Sequence, residues 1–74
     1  MDKESFDASF AQRVEQARND RGLSRNALSQ EALIPYTTLH RKLAGSGSFT
    51  VAEVARMSAA LGVDYSSLWP EVDA

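Results

Sequence analysis

Seventy-four residues with a net charge of −2, no cysteine and 43% hydrophobic content bound this chain to one small domain, residues 1–74. The missing cysteines exclude a disulfide framework and a thiolate metal site, and a small unstapled domain of this kind fits a reducing cytoplasm. No apolar run approaches the roughly 20 residues of a membrane span, and the acidic opening MDKESFD lacks the hydrophobic stretch of a signal peptide.

The first helix is expected to start near Ser5 or Ser9 and to run to about Arg21. Phe6, Phe10, Val14 and Ala17 recur in it at helical spacing, and Ser9 with Gln12 offers a capping box for the later start. Gly22 supplies a left-handed stop, and Leu23 returns to the core. Ser24 is an N-cap for a short second helix, about Arg25 to Glu31, with Ala27 and Leu28 inward. Ala32, Leu33 and Ile34 form a turn. Pro35 suits the first position of a third helix, where its missing N–H costs nothing, and keeps Ile34 out of helical geometry. That helix runs to about Leu43, with Leu39 and Leu43 inward and Gly45 as its stop.

Gly45-Ser46-Gly47-Ser48 reads as a flexible polar loop. A fourth helix starts at a T-x-x-E capping box, Thr50 and Glu53, with Phe49 and Val54 at the hydrophobic-staple positions. Val51, Val54, Ala55, Ser58 and Leu61 are expected to line its inner face, and Gly62 ends it. Asp64 caps a last short helix over residues 65–69, which Pro70 terminates. Residues 71–74 are expected to fray. Phe6, Phe10 and Phe49 are read as core. Trp69 is placed against helices 1 and 4 within one molecule, ahead of a contact between two copies. With no repeat and no strand pattern, the fold class is all-α, a compact five-helix domain.

Residues 24–45 carry the functional signal. The outer face of the third helix holds Tyr36, Thr37, Thr38, His40, Arg41 and Lys42. Hydroxyls, an aromatic ring and bases on a short helix suit a DNA major groove, although a merely solvated helix face has a similar composition. The charge distribution favours the first reading. Residues 8–63 carry a net of +3, and the acids that make the chain negative are concentrated at its two ends. Nucleic acid responds to the local field within a Debye length of about 8–10 Å. Arg25 and Asn26 open the second helix, where a base or an amide can clamp a phosphate, or simply face solvent beside the cap. Ser46 and Ser48 can donate to phosphates or serve only as a connector. His40 has no Cys or His neighbour for a metal site. A single His and a small core leave no cleft for a catalytic triad. GSGS lacks the strand and the helix-borne Lys of a phosphate loop. No enzyme activity, cofactor or small-molecule substrate is expected.

In this order and spacing, the features resemble the Cro/C1-type helix-turn-helix domain of phage and bacterial repressors, the lambda-repressor-like fold. The resemblance covers residues 10–69. It rests on the first-helix stripe, Gly22-Leu23-Ser24, Leu28, Leu39, the Gly45 loop, and MSAALGVD over residues 57–64 followed by YSSLW. Two departures stand out: Leu33 where the family often has Gly, and Ser29 where it usually has Ala. Leu33 must avoid a positive φ or accept strain there. The resemblance implies sequence-specific binding of double-stranded operator DNA by a recognition helix over residues 35–43. It implies a transcriptional repressor, a phage immunity repressor or a small bacterial regulator. It makes Tyr36, Thr37 and Arg41 base readers, with Thr38, His40 and Lys42 flanking and Arg25, Asn26, Ser46 and Ser48 at the backbone. A homodimer, or a further C-terminal domain in a longer chain, is compatible with it. The net acidity supports the alternative of a protein-interaction module, an antitoxin or adaptor, on the same fold.

Overall fold

Side-chain caps mark two of the helix starts in this chain and backbone caps mark four of the stops, while Asp64 stands at the start of the last short helix without a side-chain cap bond. The structure, a computed structural model, describes residues 3–69, with side chains from Phe6 onward. Among these residues are five helices and no strand: α1 (Lys3–Arg21), α2 (Arg25–Glu31), α3 (Tyr36–Leu43), α4 (Val51–Leu61) and α5 (Tyr65–Leu68). Ser24 starts α2 in extended geometry, its Oγ accepting the Ala27 N–H at 3.0 Å. Thr50 starts α4 with the full box. Its Oγ1 accepts the Glu53 N–H at 3.1 Å, while the Glu53 carboxylate accepts the Thr50 N–H at 2.8 Å.

The helices α1 to α4 all stop in one way. A residue two or three positions past the helix donates its N–H back to the carbonyl five residues earlier: Leu23 to Arg18, Ile34 to Ser29, Ser46 to Arg41 and Val63 to Ser58, at 3.0 to 3.1 Å. The residue before each of these is left-handed, as this ending requires. Glycine fills that place after α1, α3 and α4. Leu33 fills it after α2 with φ +56°, the one positive φ outside glycine among the described residues. Of the two outcomes the sequence left open at Leu33, avoiding a positive φ or accepting strain, the second holds. Ala32 and Ile34, on either side, are buried, while Leu33 itself is 74% exposed. Ser29, the other departure, is buried and satisfies its hydroxyl on the Asn26 carbonyl at 2.8 Å.

Four boundaries or faces differ from expectation. The first helix is already helical at Lys3, so Ser9 and Gln12 lie inside it and form no box. Pro35 is the cap of α3 and not its first helical residue, because its ψ of 138° is still extended. Trp69 likewise falls outside α5 with ψ 123°, the extended geometry that a following proline imposes. On α4 the buried arc is Val54, Met57, Ser58, Ala60 and Leu61, rotated toward Met57. Val51 is 85% exposed and Ala55 is exposed as well, because at 100° per residue they fall beyond the edge of that arc. Residues 70–74, including the expected frayed tail, lie outside the described residues.

One core joins the elements. Phe10, Ala11 and Val14 of α1 meet Leu28, Ile34, Leu39, Leu43, Val54, Met57, Leu61 and Leu68. At one end the Trp69 ring stands edge-on to Phe6 and Phe10, with centroids 5.1 and 5.8 Å apart, and Phe10 faces Phe49 at 5.6 Å. Trp69 thus packs within the molecule. The second helix packs on α4, and α3 packs on α1 and α2. No helix among the described residues is long and apolar enough to cross a membrane.

Two substitutions test this account of the helix ends. Thr50→Ala is expected to lower unfolding free energy by about 1 kcal/mol in urea titrations. Leu33→Gly is expected to raise it by about 1 kcal/mol, because the left-handed backbone costs a leucine about that much and the side chain packs little. A lower urea midpoint for Leu33→Gly would show that the leucine side chain contributes more than its backbone costs.

Candidate nucleic-acid interface

Burial of Leu39 and Leu43 sets the orientation of α3. With those two inward, Tyr36, Thr37, His40, Arg41 and Ala44 are exposed, a spacing that makes one continuous outer face. Thr38 and Lys42 are half-buried along its edge. Arg25 and Asn26, at the start of α2, lie near enough for Arg25 to reach the outer face at His40. The structure therefore brings Tyr36, Thr37, His40, Arg41 and Arg25 together.

Neighbours orient each of these side chains. The Tyr36 ring, 46% exposed, stacks on His40 with centroids 6.0 Å apart and a 20° tilt. The Arg41 Nη1 donates to the Ser46 carbonyl at 2.9 Å, which uses one of its N–H groups and points the side chain toward the loop. A Cβ at Gly47 would stand 3.2 Å from that guanidinium, so the loop glycine gives the arginine room. Ser46 and Asn26 are exposed. Ser48 is drawn away from α3, its Oγ donating to the Asp7 carboxylate at 2.8 Å.

Lys42 is placed differently from its sequence reading. Its Nζ lies 2.7 Å from Glu53 Oε1, and the two side chains are only 11% and 13% exposed. The ammonium also sits 5.7 Å from the Phe49 ring centroid. One helical step before the buried Leu43, this position faces α4 and the carboxylate that starts it. Lys42 thus ties α3 to the α4 capping box and does not stand on the outer face. Burial pushes the Glu53 carboxyl up, but the hydrogen bonds from Lys42 and the Thr50 backbone, with the Lys42 charge, outweigh it and hold the group below its ordinary value.

Three residues that the sequence did not single out support the face from beneath. Glu15 on α1 accepts Arg25 Nε at 2.8 Å with one carboxylate oxygen and the Arg18 guanidinium with the other. Arg18 is in turn held on the Leu23 carbonyl at 2.7 Å. Arg56 on α4 donates to the Ala32 carbonyl at 2.6 Å, directly before the strained Leu33. The i, i+3 spacing of Glu15 and Arg18 was a legible signal. Arg25 and Arg56 find partners ten and 24 residues away, which no local pattern announces. No group of three or more metal-ligating side chains is found among the described residues.

The backbone superposes on two solved structures. One is an HTH_3 family transcriptional regulator from Vibrio cholerae, with a TM-score of 0.81, 25% identity, and 88% of this chain and 36% of that chain covered. The other is the restriction-modification controller protein C.AhdI from Aeromonas hydrophila, with a TM-score of 0.83, 18% identity, and 88% of this chain and 98% of that chain covered. The chain has the Cro/C1-type helix-turn-helix fold. It spans about a third of the Vibrio regulator and nearly all of C.AhdI. No protein-family model and no curated protein matches the sequence. Within the helix-turn-helix, α2 is the first helix, residues 32–35 are the turn, and α3 stands in the recognition position.

The buried pair gives a pH prediction. The folded Glu53 titrates below its ordinary value of 4.5, so its stabilisation is complete above that value and is lost as pH falls through the folded one. Glu53→Gln is expected to melt lower at neutral pH, with the gap to the parent closing on acidification. A constant gap across that range would show that the charge of Glu53 contributes nothing.

Proposed function

We propose that this chain binds double-stranded DNA in a sequence-specific manner by laying α3 in the major groove, and that it regulates transcription as a repressor that occludes a promoter. The outer face of α3 carries the reading: an aromatic, a hydroxyl, an imidazole and a guanidinium displayed together by the buried Leu39 and Leu43. Further support comes from the fold it shares with a transcriptional regulator and a restriction-modification controller protein. A phage immunity repressor or a small bacterial regulator is the setting we favour.

In this reading Tyr36, Thr37 and Arg41 contact base edges, and Thr38 and His40 flank them. Arg41 has the fork that matches guanine O6 and N7. Arg25, Asn26 and Ser46 approach the phosphates. Lys42 and Ser48, bonded to Glu53 and Asp7, contribute less than their residue types suggest. A homodimer on a two-fold site is compatible with this reading.

The overall acidity, with a pI near 5.2, favours the second reading, a protein-binding antitoxin or adaptor. Salt dependence separates the two. Fluorescence anisotropy on duplex DNA should show affinity falling steeply with salt, and selection from random duplexes should return a defined site, an inverted repeat if two copies bind. Arg41→Ala should weaken binding to that site by about 1–3 kcal/mol and relax one base pair. Equal losses on selected and random DNA would confine Arg41 to phosphate contact. No measurable affinity for any duplex at low salt would defeat the proposal.

A further inference from the structure

A chain of polar contacts leads from inside α1 to the outer face of α3, and each link has a direction. Arginine only donates hydrogen bonds. Arg25 Nη1 lies 3.1 Å from His40 Nδ1, so Nδ1 must accept. In a neutral imidazole the proton then resides on Nε2. Arg25 is itself directed by Glu15, whose Oε1 takes its Nε at 2.8 Å. The second oxygen of Glu15 is occupied by Arg18, and Arg18 is locked to the Leu23 carbonyl at the end of α1. On the far side the stacked Tyr36 ring limits rotation of the imidazole.

We infer that His40 is a specificity-determining residue of α3, presented to DNA as a fixed hydrogen-bond donor at Nε2 by the Glu15–Arg25 pair. The inference rests on the DNA-binding reading above and narrows it. A donor at that place pairs with purine N7, guanine O6 or thymine O4, and it rejects the amino groups of adenine and cytosine. Glu15 is a positioning residue that touches no DNA and acts through Arg25. Arg25 then has two tasks, because the contacts to Glu15 and His40 use two of its five N–H groups and leave three for a phosphate.

His40 is the single histidine of the chain, so its ring nitrogen resonances need no assignment. Nitrogen-15 NMR of the free protein, at a pH where the ring is neutral, should show Nε2 protonated and Nδ1 bare. Arg25→Ala, a change at a partly exposed site, should shift the ring toward the mixed tautomers of an unrestrained imidazole, and Glu15→Ala should do the same. In duplex selection, His40→Ala should lose about fivefold to a hundredfold in preference at one base pair. His40→Gln, whose amide can donate from the same place but also accept, should keep the parent base and gain tolerance of adenine there. Arg25→Ala and Glu15→Ala should relax the same base pair. A ring unchanged by Arg25→Ala, or a His40→Ala variant that selects the parent site unaltered, overturns the inference and leaves the DNA reading standing. A parent that selects no site overturns both.

Discussion

The left-handed backbone at Leu33 sets how α3 leaves α2, and the face that α3 displays depends on it. The turn buries Ala32 and Ile34 on either side of an exposed Leu33. That arrangement needs the chain to reverse within three residues, which the left-handed geometry allows and extended or right-handed geometry does not. A leucine there costs about 1–2 kcal/mol relative to an unstrained residue. Two features offset the cost: burial of Ile34 against the common core, and the Arg56 bond to the Ala32 carbonyl. With the turn held, Leu39 and Leu43 enter the core, and Tyr36, Thr37, His40 and Arg41 have only the outside left to them.

Ion pairs in this molecule orient side chains, and the least exposed of them also stabilises the fold. The Glu15–Arg25 pair, the more exposed one, contributes little to folding and its value is geometric, whereas Lys42 and Glu53 are only 11% and 13% exposed. Glu15 holds Arg18 and Arg25, and Arg25 meets His40, which sets a side chain on the outer face from a helix beneath it. Glu53 closes the α4 cap and holds Lys42, joining α3 to α4. Two of the acids in the basic middle of the chain are thereby spent on positioning cations.

The helix ends were largely readable because cap bonds are local. Ser24 to Ala27, Thr50 to Glu53 and the glycine stops all join residues within five positions of one another, so residue type and spacing suffice. The turn at Leu33 was flagged only through the resemblance to a family that often has a glycine there, and its positive φ was one of two outcomes left open. Pro35 and Trp69 were misplaced by one residue because a cap and a first or last helical turn differ only in a single ψ. The inner face of α4 was misjudged at Val51 and Ala55. Apolar periodicity marks a stripe, but its centre depends on which neighbours the helix meets.

By itself the sequence determined five helices, their stops, the Leu39 and Leu43 stripe that turns α3 outward, and the residues available on its face. Tertiary packing alone decided which of those residues act together. Lys42 left the outer face because α4 brought Glu53 to within 2.7 Å of its ammonium. His40 acquired a defined tautomer because α1 and α2 meet where Glu15 can direct Arg25. Helix caps close within a turn and are written in adjacent letters. Side-chain partners ten to 24 residues apart exist only once the helices have packed.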